Sequence, residues 1–551
     1  MTHEPVLDPA DPAARKAQTY PILTPDDVAR IVPYGVVESF DTSGWLFRRG
    51  DRNVDFFLVL DGEVEILVSD LCGGETPFVA FGPGQFTGEL NLLNDRAMIA
   101  AARAGAGAKL VRVRSADFRR LLACEAELAE TLLRAFILRR VGFIRRGAGG
   151  VTLVGRRDSA DMIRLQRFLT RNAYPFQALD VEAPDGAALA ARLGFKADAL
   201  PAVVAPAGVT LANPTTAALA DSLGLTEPLD PHAVYDVAVV GAGPAGLAAA
   251  VYAASEGLKT IVLETLAPGG QAGTSSRIEN YLGFPTGVSG QALAGRAQIQ
   301  AQKFGAHLAV ARGVGGLDCS GAPFALALES GENVRARAVV VATGARYRRL
   351  DLENYEKFEG AGVEYAATPM EGQLCAGLEA VVVGGGNSAG QAAMFLSGVA
   401  RHVHIVVRRP DLAATMSDYL VRRIAASPRV TLHAHSEIVA LHGDERLRAA
   451  TWANRSTGAM ETREIGALFV MIGAEPNTDW LGGCLALDDK GFVLTGAQAR
   501  CGATDAPYAA SRPGVFAVGD VRSGSTKRVA SAVGEGAAAI HAVHAFLHPE
   551  A

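Results

Sequence analysis

Two glycine clusters stand where a polypeptide could come close to a phosphate. In the first, VYDVAVVGAGPAGLAAAVYAASEGLKTIVLET, Gly241, Gly243 and Gly246 lie between a β-branched run and an Ala-rich helical pattern. A dinucleotide fold needs glycine at this spacing for a tight turn, for approach of backbone to pyrophosphate, and for packing of helix on strand. The unpaired N–H groups that open the following helix then face the anion. Glu264 closes the next strand-like run, 23 residues after Gly241, where a carboxylate accepts hydrogen bonds from a ribose diol. Three glycines alone are a weak signal. Strand before, helix after and an acid at this distance together point to a dinucleotide with an unphosphorylated ribose.

The second cluster, in LEAVVVGGGNSAGQAAMFLSGVARHVHIVVRRPD, begins 143 residues later, with Gly384, Gly386 and Ala389 in the turn and Asn387 and Ser388 among them. The position equivalent to Glu264 is Val407, followed by Arg408 and Arg409. Two guanidinium groups in place of an acid suit a ribose 2′-phosphate, which they can bind through charge-assisted bidentate bonds. This site is expected to prefer NADPH to NADH. A solvated basic strand end is the plainer reading of the same pair.

Thiol chemistry has little to work with. The six cysteines, Cys72, Cys124, Cys319, Cys375, Cys484 and Cys501, come no closer than 17 residues, so neither a disulfide framework nor a CxxC metal or redox pair can be drawn, and no metal site is expected. Cys375, in MEGQLCAG, has no nearby partner in sequence and reads either as a small apolar residue before a core strand or as a thiol with a role of its own.

The elements around these groups fall into several domains, since 551 residues exceed the roughly 150 of an average domain severalfold. A loose tail spans 1–20. In DRNVDFFLVLDGEVEILVSD two strand-like runs meet at Asp61-Gly62, a hairpin dipeptide, and helical spacing runs from Ser115 to Arg146, so 21–147 reads as a β-rich unit closed by long helices. A strand at Gly149 to Gly155, a helix from Asp161 to Asn172, a strand at Phe176 to Asp180, a second helix and a Pro-led strand at Pro201 form a small α/β unit, 148–226. A Pro-rich linker, 227–232, precedes the two glycine units.

Composition excludes several classes. With 49% apolar and 20% charged residues the chain is not largely disordered. Its 52 basic against 58 acidic residues, net charge -6, lack the field that holds nucleic acid. The opening MTHEPVLDPADPAARKAQ has no secretory pattern, and with few cysteines a reducing cytoplasm fits. Val237 to Ala254 and Ala380 to Ala400 are uncharged and long enough to span a membrane, but the glycines inside them favour strand, turn and helix, so no span is expected.

The stretches GGQAGTSSRIENYLGFP (Gly269 to Pro285), ATGA (Ala342 to Ala345), GGGNSAG, IGAEPNT (Ile472 to Thr478) and GVFAVGDV (Gly514 to Val521) resemble the low-molecular-weight thioredoxin reductases of the pyridine nucleotide-disulfide oxidoreductase superfamily over about the last 320 residues. The resemblance implies a homodimer whose FAD-binding domain, 233–348 with 476–551, is interrupted by an NADPH-binding domain, 349–475. It places Asp520 on the flavin ribityl chain, Gln271 and Asn280 beside the isoalloxazine, and Lys527, Arg528 and Val529 before the helix whose N-terminus faces the pyrimidine edge. Lys-Arg replaces the family's usual Arg-Gln there. Aligned on Gly362-Val363, the family's CxxC positions hold Ala366-Ala367-Thr368-Pro369, so the dithiol needed to attack and resolve a disulfide is missing.

Residues 148–226 resemble a glutaredoxin or thioredoxin fold, with Leu200-Pro201 at its cis-proline position and no cysteine in Arg157-Asp158-Ser159-Ala160-Asp161, where its thiols would lie. Residues 21–147 resemble the cyclic-nucleotide-binding domains of catabolite-activator-type regulators. In GPGQFTGELNLLNDR the resemblance gives Glu89 to a ribose 2′-OH and Arg96 to a cyclic phosphate, with a shortened segment between them.

The fold class expected is multidomain α/β and α+β: an N-terminal β-roll with helices, a thioredoxin-like α/β unit, and two Rossmann-like dinucleotide-binding domains. The function expected is that of an NADPH-dependent FAD oxidoreductase that passes electrons without a CxxC dithiol to a small-molecule or protein acceptor, with a cyclic nucleotide as effector. Two alternatives stay open: a disulfide reductase using a displaced thiol such as Cys375, and a ligand-gated redox sensor with little turnover.

Overall fold

The computed structural model describes residues 15–548 apart from 70–73, 89–91, 93–96, 147–149, 197–198, 206–208, 227, 276–277, 279, 366, 368 and 500–505. Two compact units divide the chain: Met1–Arg157 with Phe168–Asp230 and Ile299–Arg312, and Asp158–Arg167 with Pro231–Gln298 and Gly313–Ala551.

In the first unit a capping box starts helix Pro25–Ile31: the Thr24 hydroxyl accepts from the Asp27 N–H, and the Asp27 carboxylate accepts from the Thr24 N–H. Strands Val36–Phe40, Ala108–Val113 and Phe56–Asp61 make one antiparallel sheet, and Gly44–Phe47, Ala101–Ala104, Val64–Ser69 and Glu75–Phe81 another. Both runs flanking Asp61-Gly62 are therefore strands, but the expected hairpin does not form, because they join different sheets. Their side chains explain the difference: Phe56 to Val59 are all buried, as are Val64, Ile66, Leu67 and Val68, so each strand needs cover on two faces, which a lone hairpin lacks. The helical pattern after Ser115 divides into Ser115–Cys124 and Ala126–Arg146 at Glu125, whose carboxylate accepts from Arg30 at 2.8 Å. Phe56, Phe86, Phe118 and Phe136 fill the space beneath these helices.

Strand Val151–Gly155 lies parallel to Phe176–Asp180 and antiparallel to Ala202–Val204, which pairs with Thr210–Ala212. The Leu200–Pro201 peptide is cis.

The second unit contains two parallel-strand lobes. In the Gly241 lobe, Val234–Val240 lies between Thr260–Glu264 and Asn333–Val341, all parallel, and Val515–Ala517 adds beyond Asn333–Val341. In the Gly384 lobe the strands run Val363–Glu364, Ala467–Val470, Glu379–Val383, His402–Val406 and Val430–His433, all parallel. Such strands are covered on both faces, which is why they read as continuous Val-rich runs. The chain leaves the first lobe at Ala345–Tyr347 and returns at Ala474–Pro476, and these two segments pair antiparallel. The uncharged stretches at Val237 and Ala380 are strand, turn and helix, and among the described residues no helix is long and apolar enough to cross a membrane.

One expectation is corrected here. Cys319 and Cys484, 165 residues apart in sequence, form a disulfide. Sequence spacing had left them unrelated, but the chain returning after Ala474–Pro476 passes beside the strand Val314–Asp318, which ends next to Cys319.

Candidate active site

The first glycine turn is built by backbone crowding. Gly241 has φ +102°, and a Cβ there would lie 2.4 Å from the Ala342 carbonyl oxygen. A Cβ on Gly246 would meet the Gly241 oxygen at 1.9 Å, so the helix Pro244–Ser255 can seat on its strand only with glycine. Gly243, the N-cap, faces Gly270 across an otherwise open gap. Glu264 ends its strand as expected, and its carboxylate also braces the turn, accepting from the N–H groups of Ala242 at 2.7 Å and Leu266 at 2.9 Å.

The other residues expected on this lobe lie on separate segments. The Gln271 amide donates to the Ala345 carbonyl, next to the lobe-joining ladder. Asn280 is exposed. Asp520 sits in the one-turn helix Gly519–Val521. Burial raises its pKa, against the nearby charge of Lys527 and with Glu535 adding to the rise. Lys527 donates to the Asp520 carbonyl at 3.2 Å and lies over the Phe492 ring. Arg528 caps the 19-residue helix Val529–Leu547.

Sequence reasoning missed what holds this turn. Glu535, 7% exposed, accepts from the Gly519 N–H at 2.7 Å, from Arg522 at 3.1 and 2.8 Å, and from the Ser525 hydroxyl at 2.7 Å. A single acid inside the Ala-rich run SAVGEGAAAI was the available signal. Asn477 was missed as well: its amide donates to the Thr343 carbonyl at 3.0 Å while the Thr343 hydroxyl donates to the Asn477 carbonyl at 2.8 Å, clasping ATGA to IGAEPNT.

The second turn repeats the first. Gly384 has φ +136°, a Cβ there would meet the Met471 oxygen at 2.2 Å, and Gly386 opens helix Asn387–Leu396 into free space. The Asn387 side-chain oxygen accepts from the Ser417 N–H at 2.6 Å, Ser388 is exposed and Ala389 is buried against the core. Arg408 and Arg409 follow the buried Val407 and are both exposed, with neither guanidinium in a hydrogen bond among the described residues.

Where a dithiol would lie, Ala367 is buried, Pro369 opens the helix Pro369–Gln373, and Ala366 and Thr368 fall outside the described residues. Cys375 is fully buried in the same apolar cluster as Ala367, and its thiol donates to the Gly372 carbonyl at 3.2 Å. Burial pushes that thiol up to about 11. At the lobe junction, Tyr365 stacks on Tyr347, donates to Glu359 at 2.7 Å and accepts from the Tyr355 hydroxyl.

Glu89 and Arg96 also lie outside the described residues. The segment before them is gripped by Arg139, a residue the sequence did not single out. Its side chain is 4% exposed and donates to the carbonyls of Thr19, Phe86 and Gly88, each at 3.0 Å. Burial pulls its guanidinium down to about 9.

Residues 235–536 match the pyridine nucleotide-disulphide oxidoreductase family, and residues 37–124 match the cyclic nucleotide-binding domain family. A thioredoxin reductase of Streptomyces clavuligerus is 35% identical over 310 residues, which is 56% of this chain and 92% of the relative. Another, from Streptomyces coelicolor, is 34% identical over 316 residues, 57% of this chain and 94% of the relative. The crystal structure of Lactococcus lactis thioredoxin reductase in its FR conformation superposes with a TM-score of 0.52 at 28% identity, covering 57% of this chain and 99% of that one.

Proposed function

The chain belongs to the pyridine nucleotide-disulphide oxidoreductase family, and on that footing we propose that it oxidises NADPH through FAD and delivers the electrons to an acceptor without a dithiol relay. It is a flavin- and pyridine nucleotide-dependent oxidoreductase of the thioredoxin reductase kind. Both glycine turns fit a dinucleotide, because at Gly241 and Gly384 a Cβ would press on backbone while Gly243 and Gly386 leave open approaches. When bound, the flavin accepts hydride from the nicotinamide and gives up two electrons.

The chain's own part is to hold and orient. Glu264 receives a ribose diol and Asp520 the ribityl chain, while Gln271 and Asn280 line the ring. The N-terminus of helix Val529–Leu547, with Lys527 and Arg528, favours negative charge at the ring edge. At the second turn Asn387, Ser388 and Ala389 open the helix toward the pyrophosphate, and the free heads of Arg408 and Arg409 select the 2′-phosphate. The glutaredoxin-like unit is non-catalytic, having no thiols. The cyclic-nucleotide-type domain acts as a sensor through Glu89 and Arg96, and the working form is a homodimer.

The observation that carries direct transfer is the loss of both thiols at Ala366 to Pro369, with Cys375 buried and protonated instead. Anaerobic titration with NADPH tests it. Reduced flavin should accumulate from the first equivalent, with no thiolate-to-flavin charge-transfer band and no gain in free thiols, and Cys375→Ser should reduce artificial acceptors as well as the parent does. A charge-transfer band that disappears in Cys375→Ser would establish the displaced-thiol enzyme instead.

A further inference from the structure

The Gly384 lobe holds a row of hydrogen-bonded imidazoles that the redox reading leaves unused. His404, on strand His402–Val406, is 4% exposed, and His433 ends Val430–His433, the edge strand of the parallel sheet. His404 Nδ1 meets His433 Nε2 at 2.9 Å, and His404 Nε2 meets Glu379 Oε2 at 3.1 Å. Both rings lie against Trp452 on strand Leu447–Asn454, with centroids 5.4 and 5.0 Å away. These contacts place the protons. The Glu379 carboxylate accepts, so His404 carries its proton on Nε2 and accepts through Nδ1 from the His433 Nε2–H. That leaves His433 Nδ1 bare, 3.8 Å from Glu461 Oε2 on strand Met460–Glu464. Arg401 donates to Glu379 at 3.1 Å, and Arg463 donates to Glu461 at 2.7 Å and lies 4.0 Å from Glu379, so these two acids are already balanced by two guanidinium groups. His402, stacked 4.9 Å from His404, bonds the Thr431 hydroxyl. A first proton can enter at His433 Nδ1, facing Glu461, with the row intact. A second has only His404 Nδ1 left, where its N–H would point at the His433 Nε2–H across 2.9 Å, and the rings must part.

We propose that His404 and His433 form an acid-opened latch: closed while at least one ring is neutral, it fixes the edge strand and the segment that bears Arg408 and Arg409, and protonation of both rings releases them. The link to that segment is backbone. The Val407 N–H donates to the His433 carbonyl at 3.0 Å, and the His435 N–H donates to the Arg409 carbonyl at 3.1 Å. Burial, the largest influence, holds both imidazoles below their ordinary 6.5. Glu379 raises His404 and Glu461 raises His433, but His402 and Arg463 lower both, and His404 lowers His433 further. Parting the rings returns them toward 6.5, so the open latch binds protons that the closed one lacks. Closure is therefore fully favoured above that value and is lost as pH falls below it, by up to about tenfold per proton per pH unit. This inference does not depend on which nucleotide the lobe takes or which acceptor the enzyme reduces.

Nuclear magnetic resonance of the full-length flavoprotein, with its histidine rings isotope-labelled, tests it directly, and His404→Gln and His433→Gln identify the two signals. Both rings should titrate below 6.5 in two linked steps. In His433→Gln the His404 signal should show one step, at higher pH than the second step of the parent, because an amide oxygen can accept where a second N–H stood. Hydrogen exchange gives the second reading: amides of 403–409 and 430–436, corrected for intrinsic rates, should lose about tenfold or more of their protection from pH 7.5 to pH 5 in the parent chain, and about threefold or less in His433→Gln. Two rings that titrate independently at or above 6.5, or a His433→Gln chain with the parent's exchange slope, would overturn the proposal.

Discussion

Replacing Glu535 should unseat the turn that carries Asp520. The carboxylate is 7% exposed and receives four hydrogen bonds, one from a backbone N–H and two from Arg522, whose own side chain is 19% exposed. In Glu535→Ala the Arg522 guanidinium loses its only ion-pair partner among the described residues, and the Gly519 N–H is left without an acceptor in a buried position. Breaking a buried pair from one side costs roughly 3–5 kcal/mol, and residual exposure of Arg522 favours the low end, about 3. Spread over a cooperative unit of roughly 300 residues, that is about 4–5 °C in Tm. Glu535→Gln keeps the shape and one acceptor oxygen, so about half that loss is expected. Burial alone would raise this carboxyl, but hydrogen bonds from Arg522, Ser525 and Gly519 bring it below its ordinary value. Its contribution is thus present above the usual Glu range and is lost as pH falls through the lowered value. Differential scanning fluorimetry at pH 7.5 and pH 4, with flavin content measured on the same samples, reads both effects. A Tm within 2 °C of the parent in Glu535→Ala, with full flavin retained, would refute the reasoning.

Four further outcomes can be checked. Arg408→Ala with Arg409→Ala should weaken NADPH by about 2 kcal/mol, near thirtyfold, and leave NADH almost unchanged, because only the 2′-phosphate loses charge-assisted bonds; equal loss for both in a binding titration removes the argument. Gly241→Ala combines φ +102° with a Cβ 2.4 Å from the Ala342 oxygen, so the purified protein should carry little flavin. Cys375, buried and pushed up to about 11, should react with a thiol reagent at pH 8 far more slowly than the exposed Cys124, read by mass spectrometry of labelled peptides. If a cyclic nucleotide binds, its affinity and that of a non-reducing NADPH analogue should change each other by the same factor, roughly 5- to 150-fold, and identical constants in both states would rule out equilibrium coupling.

The parts that local chemistry specifies could be read without coordinates. A glycine that must adopt positive φ, a helix directly after it, and an acid or an Arg pair at the end of the next strand are all written within about 25 residues of each other, so Gly241, Glu264, Gly384 and Arg408 stand where the spacing put them. Groups that meet only through the fold left weaker traces. Glu535 completes a turn 16 residues upstream, Arg139 reaches back 51 residues to Gly88, Arg167 reaches 197 residues to Glu364, and Cys319 finds Cys484. The three charged residues lie in helices whose periodicity says that they are near a core but not what they meet, and the two cysteines lie in irregular segments that carry no periodicity. The Asp61-Gly62 turn shows the reverse limit: dipeptide chemistry identified the bend, but burial on both faces of Phe56–Asp61 decided which sheets its flanks would join.

The Cys319–Cys484 bond gives the chain a covalent topology that its linear order does not have. Everything from 320 to 483, including the entire Gly384 lobe and both strands of the joining ladder, becomes a closed ring anchored at a Cα–Cα separation of 6.2 Å. A single protease nick within that ring cannot release a fragment, so the cut protein runs as one piece on a non-reducing gel and as two after reduction. The same ring means that this lobe stays tethered at both ends to its own Gly241 lobe. A cut in the second strand of the joining ladder would leave the lobe held through its first strand alone, with the C-terminal segment still bonded to the rest through Cys319–Cys484.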